Sequence, residues 1–212
     1  MGRGRLIRIY RRESLWTRFH LWLRACSCPF DAIERLIPPE GKIVDLGCGF
    51  GYFAHLLVDR HPPRKVVGLD ADQTKIQIAT RSAKGVENPR FRTADLNRDD
   101  LEQCDVLTAL DLFYLLPYDT QERLISRAYQ LLPPKGAMVL KTMSHRPRWK
   151  AGWNRFQEFL AVRVLGITEG HYFYFRTVPD WRRLLEHVGF TVTEHSLDRG
   201  YLHPHLVLIA RK

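Results

Sequence analysis

The stretch Val44-Asp45-Leu46-Gly47-Cys48-Gly49-Phe50-Gly51 decides the fold. An apolar run over 42–46 breaks into alternate glycines and is followed at once by a helical pattern over 52–60. That succession predicts a strand entering a helix through a turn too tight for side chains. Glycine is needed where φ is positive or where a ligand approaches the main chain closely. The bare N–H groups and the helix N-terminus then face whatever lies above the strand.

Outward from that turn, strands and helices alternate. A second apolar strand, 65–69, ends in Asp70, and a third, 90–94, ends in Asp95. Asp72 can cap a helix reaching 84, closed by Gly85. A fourth strand spans 105–110, with its helix over 121–132, and Pro133-Pro134-Lys135-Gly136 turns the chain into a fifth strand, 137–141. Before the first strand, a short helix is expected over 32–36. Thr177-Val178-Pro179-Asp180 is a capping box opening a helix over 181–188, which Gly189-Phe190 ends. Segments 191–194 and 206–211 then read as two further strands. Such alternation implies an open α/β sheet, parallel and flanked by helices on both faces, whose ligands bind beyond the carboxyl ends of the strands. The glycine turn suits a pyrophosphate poorly. Its wide-spaced third glycine is missing, and Asp45 would repel phosphate; a carboxylate there suits a ligand with a positive end.

Asp45-Leu46-Gly47-Cys48-Gly49-Phe50-Gly51, Gly68-Leu69-Asp70 and Thr93-Ala94-Asp95-Leu96 together resemble the first three motifs of class I S-adenosylmethionine-dependent methyltransferases, over residues 33–212. The resemblance implies S-adenosyl-L-methionine as cofactor. It also implies a Rossmann-like, doubly wound seven-stranded sheet, closed by a C-terminal antiparallel hairpin and covered by an N-terminal helical lid. By the same resemblance Asp45, Gly47, Cys48, Gly49 and Gly51 lie at the methionine end, Asp70 at the ribose, and Asp95 with Leu96 at the adenine. Ala71 and Leu110 stand beside them. The implied acceptor is a small or amphipathic metabolite, lipid-linked and anionic in one form. The rivals are an RNA or protein methyltransferase, and a non-catalytic protein that keeps the fold and binds the cofactor.

Methyl transfer from a sulfonium is a direct displacement, so the protein must mainly align the reactants and exclude water. A general base is needed only for a hydroxyl or an acidic carbon. Asp111 and Tyr114, in Asp111-Leu112-Phe113-Tyr114 just past strand four, are catalytic candidates. The motif keeps the outer residues of the Asp-Pro-Pro-Tyr of amine methyltransferases without its prolines. In the alternative, Asp111 caps a short helix and Tyr114 packs. His145 and His171, in a basic, aromatic insert over 144–176, are candidates for acceptor binding or proton removal; otherwise that insert simply covers the sheet. No metal site is expected, because His203-Pro204-His205 has no acidic or cysteine companion.

The chain has 212 residues, 45% of them hydrophobic, which suits one domain and excludes wholesale disorder. No apolar run reaches bilayer length and no secretory h-region is evident, so a cytoplasmic protein with four free thiols is expected. Lys plus Arg number 33 against 23 acids, and seven arginines with one acid fall between Arg3 and Arg24. Anionic partners follow. Residues 1–32 form a basic arm whose helical pattern puts Leu15, Trp16, Phe19, Trp22, Leu23 and Cys26 on one face, with Thr17, Arg18, His20 and Arg24 mostly opposite. That helix has several readings: a peripheral membrane-surface device, with Trp149 and Trp153 of the insert alongside; an RNA footprint; a lid across the cofactor; or a dimer contact. The oligomeric state stays open.

Overall fold

In the computed structural model, which describes residues 8–143, 173–197 and 205–212, seven strands form one sheet in the order β3-β2-β1-β4-β5-β7-β6. The strands are β1 (Gly41–Leu46), β2 (Arg64–Asp70), β3 (Arg90–Thr93), β4 (Val106–Leu110), β5 (Ala137–Met143), β6 (Thr191–Ser196) and β7 (His205–Arg211). β1 to β5 pair in parallel, and β7 runs antiparallel between β5 and β6. The central strands are covered on both faces, which is why β4 reads Val-Leu-Thr-Ala-Leu without polar alternation and is buried throughout. Strand order reverses between β1 and β4, and in open sheets of this kind the ligand crevice lies at such a switch point, beyond the carboxyl ends of the strands.

Among the described residues six α-helices flank the sheet: α1 (Leu15–Ser27), α2 (Phe30–Glu34), α3 (Tyr52–Arg60), α4 (Gln73–Ser82), α5 (Tyr118–Leu131) and α6 (Val178–Val188). Alternate strand residues feed two cores. Val44 and Leu46 join Leu124 of α5 and Trp181 of α6 on one face, while Ile43 joins Leu21 of α1, Ile33 of α2 and Leu57 of α3 on the other. Arg64, fully buried, ties α2 to α3 by bonding Glu34 Oε1 at 2.6 Å and the Leu57 carbonyl at 3.2 Å.

Local signals place most ends. Asp72 caps α4 by accepting from the Thr74 and Lys75 N–H groups, and the reciprocal box of Thr177 and Asp180 is present. Other boundaries move. α5 begins at Tyr118 rather than 121, directly after Pro117, whose fixed φ suits a helix entrance. α6 begins at Val178, immediately inside its cap, not at 181. α4 stops at Ser82, short of 84, with Gly85 at φ +88° beyond it. α2 starts earlier than expected, at Phe30, and ends at Glu34. Among the described residues no helix is long and apolar enough to cross a membrane. All four cysteines are free.

α1 is capped by Ser14, which accepts from the Thr17 N–H at 3.1 Å. It meets the protein through Thr17, Leu21 and Ala25. Just before it, Tyr10 is buried and its hydroxyl donates to the Phe50 carbonyl at 2.8 Å, fastening this segment to the glycine turn.

Candidate active site

The turn after β1 is stitched to the end of β2. The Leu69 carbonyl accepts from the N–H of Gly47 at 2.8 Å and of Cys48 at 3.0 Å. Gly47, Gly49 and Gly51 all have positive φ, at 68°, 55° and 82°, but they are glycine for different reasons. A Cβ on Gly51 would stand 2.5 Å from Phe91 Cζ, and one on Gly47 2.9 Å from Leu112 Cδ1. On Gly49 it would meet nothing within 4 Å. Internal packing explains the first two, while Gly49 alone presents bare main chain to open space. Its N–H donates to Asp70 Oδ2 at 2.8 Å, and the Asp72 N–H donates to Asp70 Oδ1 at 2.9 Å. Two main-chain donors thus aim this carboxylate, and each oxygen keeps a second lone pair.

Asp45 is buried beneath the turn and accepts from the Thr108 hydroxyl at 2.6 Å. Burial pushes its carboxyl up to about 7 against the Thr108 hydrogen bond; the charge of Asp70 adds to the rise and Arg24 opposes it. A cationic ligand group nearby would tip this carboxyl into its ionised form. Burial, with Asp45 and Asp70 close by, pushes the Cys48 thiol well up, so it is no nucleophile. Asp95 follows β3, and its half-exposed carboxylate accepts from the Asn97 N–H at 2.9 Å, with buried Leu96 next to it. Ala71 is exposed after β2, and Leu110 closes β4 from inside. The fold therefore gathers every expected cofactor residue along the carboxyl edge of four adjacent strands.

The other side of the crevice departs from expectation. Asp111, in a left-handed conformation at φ +59°, lies between the Lys141 ammonium of β5 and the Arg24 guanidinium of α1, the latter at 2.7 Å. Burial would raise its pKa, but the two cations outweigh burial and hold it well below the usual carboxylate range. It does not cap the short 3-10 helix Phe113–Leu115, which has no side-chain cap. Tyr114 stacks on Phe175 with ring centroids 5.3 Å apart and meets Phe173 at 6.0 Å. His20 stands edge-on to Phe50 at 5.6 Å, and burial, reinforced by the charges of Arg24 and Lys75, lowers the pKa of its imidazole. His145 and His171 lie outside the described residues.

Arg24, Lys141, Thr108 and His20 are members of this constellation that sequence reasoning did not select. Lys141 left a signal. A lone cation in the apolar strand Ala137–Met143, in register with Leu110 one residue before Asp111, requires a buried partner. Arg24 left none.

Residues 18–195 match the model of the methyltransferase domain family. The chain belongs to the class I S-adenosylmethionine-dependent methyltransferases. The chain is 27% identical over 179 residues to methyltransferase ungE' of Aspergillus campestris, covering 78% of this chain and 52% of that one. It is 30% identical over 126 residues to trans-aconitate 2-methyltransferase of Deinococcus radiodurans, covering 58% and 47% respectively. It thus spans about half the length of these curated relatives. The crystal structure of the S-adenosylmethionine-dependent methyltransferase SibL superposes with a TM-score of 0.74 at 19% identity, over 93% of this chain and 58% of that one. At that identity the likeness concerns the fold.

Proposed function

We propose that this methyltransferase moves the methyl group of S-adenosyl-L-methionine onto a carboxylate oxygen of a small or amphipathic acid. The glycine edge suits that cofactor. Open main chain at Gly49 accommodates its methionine part, Asp45 sits where a positive end would be neutralised, and the aimed Asp70 carboxylate has lone pairs for vicinal hydroxyls. Asp95 and Leu96 follow the next strand, β3, where an adenine would lie. When bound, the cofactor supplies a methyl carbon already activated by its sulfonium.

The single observation behind the acceptor is the Arg24–Asp111–Lys141 cluster, in which two cations face one carboxylate. Its surplus positive charge suits an anion, and the half-exposed Arg24 fork keeps donors for a planar carboxylate. Asp111, paired with both cations, has little pull on a proton. A carboxylic acid needs none, being ionised near neutral pH with its lone pairs ready. Arg24 would orient the acceptor, and the stacked rings of Tyr114, Phe173 and Phe175 offer its carbon skeleton an apolar wall. The relative named for trans-aconitate supports an acid as acceptor.

The test is to incubate the chain with methyl-labelled cofactor and a panel containing a tricarboxylate, a fatty acid, a phenol, an amine and tRNA. Label should enter an acid and be released as methanol by mild base, as expected of an ester. Base-stable label on the phenol, amine or RNA overturns the assignment.

A further inference from the structure

α1 is two-faced. The narrow side, Thr17, Leu21 and Ala25, is buried against the protein. The broad apolar side points away: Leu15 is 78% exposed, and Trp16, Phe19 and Trp22 are each 51% exposed. The three rings stack in a ladder, with centroids 6.1 Å apart at both steps. A contiguous aromatic ridge of this kind on a monomer marks an interaction surface, because water gains nothing from its exposure.

Charge selects the partner. Arg18 lies beside the ridge on the helix, and Arg8, Arg11 and Arg12 are exposed just before it. α1 itself carries no acidic residue. Glu13, the one acid nearby, is turned toward the protein by Arg81 at 2.8 Å. The ridge is therefore bordered by positive charge that nothing in the segment cancels. A second copy would bring like charges together across a two-fold contact. Stacking on nucleobases would need free ring faces, and the ladder already uses several of them. We infer that α1 is the docking helix for an anionic lipid surface. Its Leu and Trp side chains enter the headgroup boundary while Arg11, Arg12 and Arg18 meet lipid phosphates. Arg24, on the opposite side of the same helix, holds Asp111, so docking would set the acceptor edge near the membrane plane. The inference rests on the helix alone, whatever the acceptor.

Flotation tests it with vesicles of equimolar phosphatidylglycerol and phosphatidylcholine, against phosphatidylcholine alone. The chain should float with the anionic vesicles only, more weakly as salt rises, with tryptophan emission moving to the blue. Trp16→Ser with Trp22→Ser should weaken binding at least about tenfold and remove most of the blue shift. Arg11→Gln, Arg12→Gln and Arg18→Gln should each cost about fivefold. Cofactor affinity measured by calorimetry should be unchanged in all of these variants, which controls for folding. Failure of the wild-type chain to float overturns the inference. So does flotation that ignores the tryptophan pair, a self-association that this pair abolishes without any vesicle binding, or retardation of tRNA in place of flotation.

Discussion

The two sides of the crevice, proposed above for cofactor and acceptor, are made of different material. From Gly47 to Asp72 the wall is main chain within one strand-helix-strand unit, fixed by hydrogen bonds from Gly49 and Asp72 to Asp70. On the far side the wall is three charged side chains from α1, the end of β4 and β5. Two buried carboxylates show the consequence. Asp45 has a hydroxyl in contact and is pushed up to about 7, whereas Asp111 has two cations in contact and is held well down. Burial acts on both, and the contacting charge decides the direction. A main-chain wall can hold one nucleoside in one pose, while a charged wall sets the sign of what may lie beside it.

The contrast can be broken at several points. Lys141→Met should cost the most stability, about 3 kcal/mol, because the buried Asp111 charge keeps only Arg24. Adding Asp111→Asn should recover most of that loss in denaturant midpoints; no recovery would mean that the pair is not coupled. Gly49→Val should abolish cofactor binding in a calorimeter, yet cost folding only about 1–2 kcal/mol for its left-handed backbone. Gly51→Val should cost folding more than Gly49→Val, because its Cβ would also stand 2.5 Å from Phe91 Cζ. A Gly49→Val variant that binds normally would detach the turn from the ligand. Asp70→Ala should weaken cofactor binding by about 1–3 kcal/mol, and unchanged affinity would remove Asp70 from the site.

The pH dependence of stability sharpens the same contrast, and the two carboxylates should act oppositely. Asp45 has a folded value of about 7 against an ordinary 3.8, so the stability it lends is complete below 3.8 and is lost as pH rises toward about 7. Asp111 is depressed below 3.8, so its contribution is present above that value and is lost as pH falls. Asp45→Asn should flatten the upper slope in urea midpoints and leave the acid limb intact. Cofactor affinity should also tighten with rising pH through about 7 in the wild type and not in Asp45→Asn.

Much of the glycine turn and of the helix boundaries was legible because their signals are local. Alternate glycines after an apolar run, Asp72 before a helix and Thr177 three residues before Asp180 each act over a few positions. Asp111 was not legible in the same way. As a sequence feature it suited a catalytic group or a helix cap, and only the approach of Arg24 and Lys141 made it an ionic anchor. α1 was legible as an amphipathic helix, though its cap was not. Which side would meet the protein was not, since the small residues Thr17 and Ala25 fit closely where the larger rings would not.

The sequence by itself determined the strand-turn-helix, the order of elements and the family, because glycine torsions, caps and apolar periods are properties of neighbouring residues. The tertiary structure alone decided that Asp111 stays ionised, that Asp45 is poised near neutrality, and that the aromatic ridge of α1 faces outward. Burial and Coulomb energy depend on distances between residues far apart in the chain, and those distances exist only after the sheet has closed.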